Sequence, residues 1–498
     1  MSERPNILIF MPDQLRADAV GAFGNPVART PHIDALAARG VRFDNAWTQH
    51  PVCGPSRVSF MTGWYPHVAG HRTLDHLLTA TEPNLLRTLR HAGYRVCMPG
   101  HRGDVFAPGV TEDSTDFCGF LVQPDLGPLL TPPPEALTAS PLGRAFYRGS
   151  AGPERVVDFD EATTVTAIQW LEREAGNGPW AMWVPLIFPH VPFTVEEPWF
   201  SMHDRAAMPA PLPPPIPADG KPGFMEEYRH AYGWDALTAD DLREIAATYY
   251  GMVSRVDDQL GRILAAVDAA GQTDDTLVVF LTDHGEYLGD WGLVEKWPAG
   301  MDPCLLRNPL VIAGPGVAEG QVCDALVEII DVNATLLDVA GADPTHTHFG
   351  RSLVDLLETP DGEFRTHVFS EGGFSPADVD LFERAGGDYR AKGQLQHDRP
   401  DLVGKAISVR TRTHTYVYRQ CEGDELYDRV ADPQETSNRI DDPALATVLA
   451  ELKAAMFDWL VATSDVIPWE KHPRFPKIPQ GWREEPGGSA EPPDGRRS

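Results

Sequence analysis

The stretch "NILIFMPDQ" (residues 6–14) decides the fold, because it is an almost unbroken apolar run that stops at Pro-Asp. Such runs suit a strand covered on both faces in a parallel sheet, whereas a half-exposed strand alternates apolar and polar residues. Three further stretches read the same way: "WAMWVPLIF" (180–188), "TLVVFLTDHG" (276–285) and "PLVIAG" (309–314). Helical segments fall between them. In "TPHIDALAARG" (30–40), Thr30 caps a helix, Pro31 opens it and Gly40 closes it. "NLLRTLRHAGYRVCMPG" (84–100) reads as helix, glycine stop and strand, and "ALVEIIDVNATLLDVAGA" (325–342) as a helix lying on the sheet. Strands alternating with helices predict a layered α/β sandwich with a mostly parallel central sheet.

The chain has 498 residues, too many for one core of ordinary size, so a large domain with a smaller companion is expected. The predicted division is a catalytic α/β domain over 1–370, a linking segment over 371–404 and a C-terminal α+β subdomain over 405–465. An extended tail, disordered at its end, follows over 466–498. In the subdomain, "AISVRTRTHTYVYR" (406–419) alternates like a strand pair and "DDPALATVLAELKAAMFDWLVAT" (441–463) reads as a helix. The proline-rich region 195–235 reads as an extended surface excursion. A formal charge of −30 repels nucleic acid and anionic membranes, so an anionic substrate has to be held by local cations. No apolar run approaches the roughly 20 residues of a membrane span. The first residues lack a cleavage site, and the six cysteines show no disulfide or zinc spacing, so a reduced, cytoplasmic protein is expected.

In open α/β sheets function gathers beyond the carboxyl ends of the strands. Two strand ends there carry Asp13 with Gln14, and Asp283 with His284. Carboxylates, an amide oxygen and an imidazole converging from separate strands suit an oxygen-preferring divalent cation. A third feature is "HPVCGPSRVSFMTG" (50–63). Pro55 falls where a helix opens and Gly63 where it stops, which sets Cys53 at the positive end of a short helix beside Arg57. That is a place for an anion.

"CGPSRVSFMTG" resembles the signature of the type I, formylglycine-dependent sulfatases: Cys-x-Pro-Ser/Ala-Arg followed by Thr-Gly. "NILIFMPDQ", "TPHIDALAARGVRFDNAW", "FPHVPF", "TDHGEYLGDWGLVEKW" and "DELYDRVADPQETSN" resemble that family in its usual order, from residue 5 to about 460. The resemblance implies the alkaline phosphatase superfamily fold and hydrolysis of a sulfate ester to an alcohol or phenol and sulfate. It implies that Cys53 is oxidised to Cα-formylglycine by a formylglycine-generating enzyme that reads Cys53-x-Pro55-x-Arg57. By position, Asp13, Gln14, Asp283, His284 and the modified Cys53 match metal ligands. Arg57 matches the residue that orients formylglycine. Lys296 matches the lysine on a sulfate oxygen, and His190 a histidine that binds sulfate and protonates the leaving oxygen.

The chain departs from the pattern twice. Gln14 stands where many sulfatases have aspartate, which points toward the phosphonate monoester hydrolase branch and makes phosphonate monoesters or phosphate diesters the alternative substrates. "GHRGD" (100–104) replaces the usual Gly-Lys-x-His, so His101 or Arg102 is expected to supply the missing cation, with His101 the base that breaks down the intermediate and Asp104 orienting one of them. His71 and Arg72 are further candidates for lining the pocket. The metal is expected to be Ca²⁺, Mn²⁺ or Mg²⁺, with the imidazole tilting toward Mn²⁺. The substrate is a small-molecule or saccharide sulfate ester, and the oligomeric state stays open. Trp64, Tyr65, Trp199 and Trp297 are available to stack on a ring, although packing is the expected fate of most of them.

Overall fold

The computed structural model describes residues 4–126, 135–138, 140–469, 471 and 474. At its centre is an eight-stranded sheet. Its strands are β1 (Asn6–Met11), β2 (Gly40–Phe43), β3 (Arg95–Pro99), β4 (Phe117–Gly119), β5 (Trp180–Pro185), β6 (Thr276–Phe280), β7 (Val311–Ala313) and β8 (Gln321–Cys323). They lie in the order β8-β2-β7-β6-β1-β5-β3-β4. β1 is central and runs parallel to β5 and β6, with Ile9 opposite Trp183 and Val279. Every residue of β1, β5 and β6 is buried. Alternate side chains explain why: Leu8 and Phe10 enter one core, Ile7 and Ile9 the other. Helices Phe159–Glu174 and Ala239–Ala269 pack on the first side. Cys53–Thr62, Leu85–His91 and Ile329–Val339 pack on the second. Full burial of an Ile or Phe is worth about 1.5–3 kcal/mol, so these strands are apolar on both faces.

Several local expectations change. β7 runs antiparallel to both β6 and β2, because a three-residue apolar run carries no directional information. Thr30 does not cap the helix Pro31–Ala38; its hydroxyl donates to Asp34 Oδ1 at 3.0 Å. The helix amides His32 and Ile33 donate instead to Asp257 Oδ1, at 3.0 and 2.8 Å, from the long helix. Gly40 opens β2 rather than ending the helix, which closes at Arg39. Within 195–235 only part is a surface excursion. Phe224–Tyr232 is a helix whose Phe224, Met225, Tyr228 and Tyr232 are buried in the core.

A second, antiparallel sheet is built from β9 (Val368–Gly372), β10 (Ala406–Arg410), β11 (His414–Arg419) and β12 (Glu425–Asp428). Helix Ala446–Thr463 covers it, and Trp459 stacks on Phe369 at 4.6 Å between ring centres. The segment 371–404, expected to link two parts, holds the helix Arg390–Asp398, with Lys392 and Gln396 buried. The expected tail lies outside the described residues from 475 onward. Among the described residues no helix is long and apolar enough to cross a membrane. All six cysteines are free.

Candidate active site

Asp13–Gln14 and Asp283–His284 leave the carboxyl ends of the adjacent strands β1 and β6. Gln14 turns sharply, with φ at +66°, and its N–H donates to Asp283 Oδ1 at 3.0 Å, locking the two ends together. The His284 N–H donates to the same oxygen at 2.8 Å. The helix Cys53–Thr62 is fixed to this junction, since the Ser56 and Thr48 hydroxyls both donate to the Asp283 carbonyl, at 2.7 and 2.6 Å. The helix starts at Cys53, so Pro55 is its third residue, where a missing N–H costs nothing. Gly63 ends it in the left-handed conformation, φ +71°, as its position in the sequence predicts. No side chain caps its amide end, and all ten of its residues are buried.

Two arginines bridge the carboxylates and hold them together. Arg57 Nη1 donates to Asp13 Oδ2 at 3.0 Å and to Asp283 Oδ2 at 2.5 Å, and Nη2 donates to Asp104. Arg102 donates to Asp13 Oδ2 at 2.8 Å, to Asp104 Oδ1 at 3.1 Å and to the Leu186 carbonyl at 2.9 Å. Asp104 therefore orients Arg57 and Arg102 together. Burial opposes ionisation of Asp104, but Arg102 and Arg57 outweigh it and hold the carboxyl far below the usual range. The same contest leaves Asp13 ionised: burial raises its pKa, and His190 in its protonated form, Arg57 and Arg102 bring it well below the ordinary value. Burial, then Asp13, pushes the Cys53 thiol up to about 12, so the unmodified side chain is no thiolate.

On the other side of Asp13 two acceptors face each other unpaired. His284 Nδ1 donates to the Gly285 carbonyl at 2.8 Å, and burial drives the ring's pKa down to about 3. The ring is neutral, and Nε2 carries a lone pair. That Nε2 lies 3.6 Å from Asp13 Oδ1, and neither atom has a hydrogen-bond partner. Cys53 completes the group, with ligand atoms of Asp13, Cys53 and His284 all within 4.8 Å of one another. Two buried, mutually repelling acceptors need a cation between them. Asp13, His284 and residue 53 fit a divalent metal on this ground. Asp283 is already bonded through both oxygens, yet a carboxylate has lone pairs to spare for a metal.

Lys296 closes the site from the side of Gln14. Its Nζ donates to Gln14 Oε1 at 2.6 Å and to His190 Nε2 at 2.9 Å, and pairs with Glu295 Oε1 at 2.5 Å. The Gln14 amide nitrogen donates to Glu286. Burial, then Glu295, pushes Glu286 up to about 7. His190 Nδ1 donates to the Val191 carbonyl at 2.6 Å, so its Nε2 accepts from Lys296. Burial and Lys296 hold His190 at about 4, as a neutral imidazole.

These groups open onto a cavity of about 640 Å³ that includes Asp13, Cys53, Arg102, His190 and Lys296 in its walls. His101 also lines it, but on the exposed rim and without a bond to the buried cluster. His71 is not brought to the cavity; it bonds Glu82 at 2.7 Å and the His76 carbonyl at 2.8 Å. Arg72 pairs with Glu371 instead. Trp64, Tyr65, Trp199 and Trp297 are all buried. Sequence reasoning places the loop 374–400 among those that read the alcohol but does not single out Phe374, Glu383, Tyr389 and Lys392, which line another part of the cavity wall. It missed Glu295 and Glu286 as well, although both are charged residues within the same "TDHGEYLGDWGLVEKW" stretch as Asp283 and Lys296.

The family model described as Sulfatase matches residues 5–342. The multifunctional alkaline phosphatase superfamily protein PehA of Trinickia caryophylli is 29% identical, over 93% of this chain and 96% of its own length. The choline-sulfatase of Rhizobium meliloti is 26% identical, over 91% and 87%. Among solved structures, the phosphonate monoester hydrolase of Agrobacterium radiobacter superposes with a TM-score of 0.74 at 25% identity, covering 94% of this chain and 97% of that one.

Proposed function

The chain belongs to the sulfatase family, and from that premise we propose that it hydrolyses a sulfate ester, R–O–SO₃⁻, to R–OH and sulfate at the Asp13–Cys53–His284 centre. The observation that carries this reading is the unpaired couple of Asp13 Oδ1 and His284 Nε2 beside the residue at position 53. Asp13, His284 and residue 53 would hold one divalent cation, with Asp283 and Gln14 completing the set; Ca²⁺, Mn²⁺ and Mg²⁺ all suit the oxygen donors, and the imidazole favours Mn²⁺. Bound there, the cation and a formylglycine made from Cys53 supply an acidified hydroxyl as nucleophile.

The chain's own groups do the rest. Arg57, fixed by Asp13, Asp283 and Asp104, orients residue 53. Lys296 donates to a sulfate oxygen, and Arg102 adds positive charge on the Asp13 side. His190 donates to the leaving oxygen once protonated, and Lys296 beside it opposes that charge until the substrate's negative charge is in place. His101, free on the rim, takes the proton that releases sulfate. Because Cys53 to Arg57 are all buried, a formylglycine-generating enzyme has to reach them before the chain folds. Free cysteines throughout suit action in the reducing cytoplasm.

Phosphonate monoesters and phosphate diesters are a second reading, favoured by the neutral Gln14 at the metal position. Kinetics with 4-nitrophenyl sulfate and a 4-nitrophenyl phenylphosphonate, on protein whose residue 53 is shown by mass spectrometry to be an aldehyde, decide between them. A higher kcat/KM for the sulfate is expected. Aldehyde-bearing, metal-loaded protein that turns over neither ester would overturn both readings.

A further inference from the structure

Lys296 gives two of its three N–H bonds to Gln14 and His190, and its charge is paired with Glu295 Oε1, an oxygen that accepts no hydrogen bond. An oxyanion held by Lys296 takes its third N–H and has to compete with the charge of Glu295 for the ammonium group. Glu295 is the strongest competitor, being charged and fully buried at 2.5 Å. It cannot easily swing away: its backbone is left-handed, with φ at +68°, and its N–H donates to Glu286. Its second oxygen, Oε2, accepts from Lys392 Nζ at 2.5 Å and from the Tyr228 hydroxyl at 3.4 Å. Lys392 arrives on the helix Arg390–Asp398, beyond residue 342, where the family match ends.

We propose that Lys392 is a positioning residue for Lys296, acting through Glu295. By holding Oε2 it divides the carboxylate's charge between two ammonium groups, so that Glu295 steadies Lys296 without monopolising it. The third donor of Lys296 is then available to an oxygen of the anionic substrate. The segment around 390–398 thereby belongs to the anion-binding machinery as well as to the cavity wall. This inference rests on the hydrolase reading above, in which Lys296 contacts the transferred group.

The test compares Lys392→Met, Lys392→Arg and the double variant Lys392→Met/Glu295→Gln with the unaltered protein. It records KM and kcat for 4-nitrophenyl sulfate, competitive inhibition by inorganic sulfate, and Tm. Lys392→Met is expected to raise KM and the sulfate inhibition constant together, by about 10- to 100-fold, as loss of a supporting partner does, with a smaller change in kcat. Lys392→Arg should restore most of the loss. The double variant should also recover, because the competing carboxylate charge is gone. A merely structural role would lower Tm, leave the inhibition constant alone and show no recovery in the double variant. A folded Lys392→Met protein with unchanged KM and inhibition constant overturns the inference, and so does a double variant that recovers nothing. Should the unaltered protein cleave no sulfate ester, calorimetric binding of inorganic sulfate to it and to Lys392→Met still tests the positioning, and only the hydrolase reading falls. Unaltered protein that neither cleaves nor binds sulfate ends both.

Discussion

The two walls of the cavity are built differently. One stands on β1, β6 and the Cys53 helix, and its charged groups bond chiefly to each other: Asp13 is 2% exposed and Asp283 fully buried. The facing wall, residues 374–396, consists of short turns and one short helix. Polar ties that fasten it to the rest of the molecule include Glu383 to the Leu74 N–H, Lys392 to Glu295 and Asp388 to Arg148, and the Asp388 side chain is 48% exposed. A parallel sheet holds side chains to the tolerance that chemistry needs, whereas a wall of turns is free to vary with the alcohol it meets.

Breaking the rigid wall should therefore cost most. Asp13→Ala and His284→Ala each delete one of the two unpaired acceptors. Each is expected to lower kcat by at least about a thousandfold, because charge stabilisation at the reacting centre is lost. Elemental analysis should show the divalent metal falling with the rate. Full metal content and full activity in Asp13→Ala would show that the chemistry sits elsewhere.

Gln14→Ala tests the border of that wall. Gln14 bridges Lys296 and Glu286, so its removal disturbs both while leaving Asp13 and His284 in place. A loss of about 10- to 100-fold in kcat/KM is expected, as for a residue that supports ligands. A loss equal to that of Asp13→Ala, with metal gone, would move Gln14 into direct coordination.

The contrast between the walls also explains what the sequence reveals. Asp13, Asp283 and His284 are legible because each ends an apolar run too continuous for anything but a buried strand, and Cys53 because Pro55 and Gly63 bracket its helix. The facing wall has no such signal. Glu383, Tyr389 and Lys392 follow no period, and they reach the site only because the chain returns to it after the family-matched region. The cap of the helix Pro31–Ala38 was hidden for a similar reason: Asp257 comes from a helix 225 residues away from His32. The direction of β7 depends on its neighbours rather than on its own three residues. The sequence alone does not choose between His101 and Arg102 as the replacement cation; the structure buries Arg102 against Asp13 and leaves His101 on the rim.

Burial of the rigid wall can be read by titration. His50, three residues before Cys53, is fully buried and accepts from the Val52 N–H at 3.1 Å through Nδ1. Burial, then Arg72, lowers its pKa from 6.5 to about 3. The folded state thus prefers the neutral ring. The stability this contributes is complete above pH 6.5 and is lost progressively as pH falls toward about 3. His50→Gln removes the titration while keeping an acceptor. Its Tm should lie below that of the unaltered protein at neutral pH, and the gap should narrow as pH is lowered toward 4. A gap constant with pH would mean that the ring is not held neutral by this wall.

The smallest effect belongs to the facing wall. Asp388 pairs with Arg148 at 2.5 Å, and its backbone carbonyl accepts from the Tyr232 hydroxyl at 2.9 Å. Asp388→Asn removes the charge and leaves that backbone bond intact. A pair with one half-exposed partner is worth about 0.2–1 kcal/mol, so Tm should move little and kcat not at all. What should change is KM for esters of bulky alcohols, by less than about threefold, with the difference shrinking as salt screens the pair. If this wall only shapes the space around the alcohol, loosening one end of it alters binding and leaves the reacting atoms where the sheet holds them. A large fall in kcat on Asp388→Asn, insensitive to salt, would show instead that the turns position the chemistry as tightly as β1 and β6 do, and the distinction between the two walls would fail.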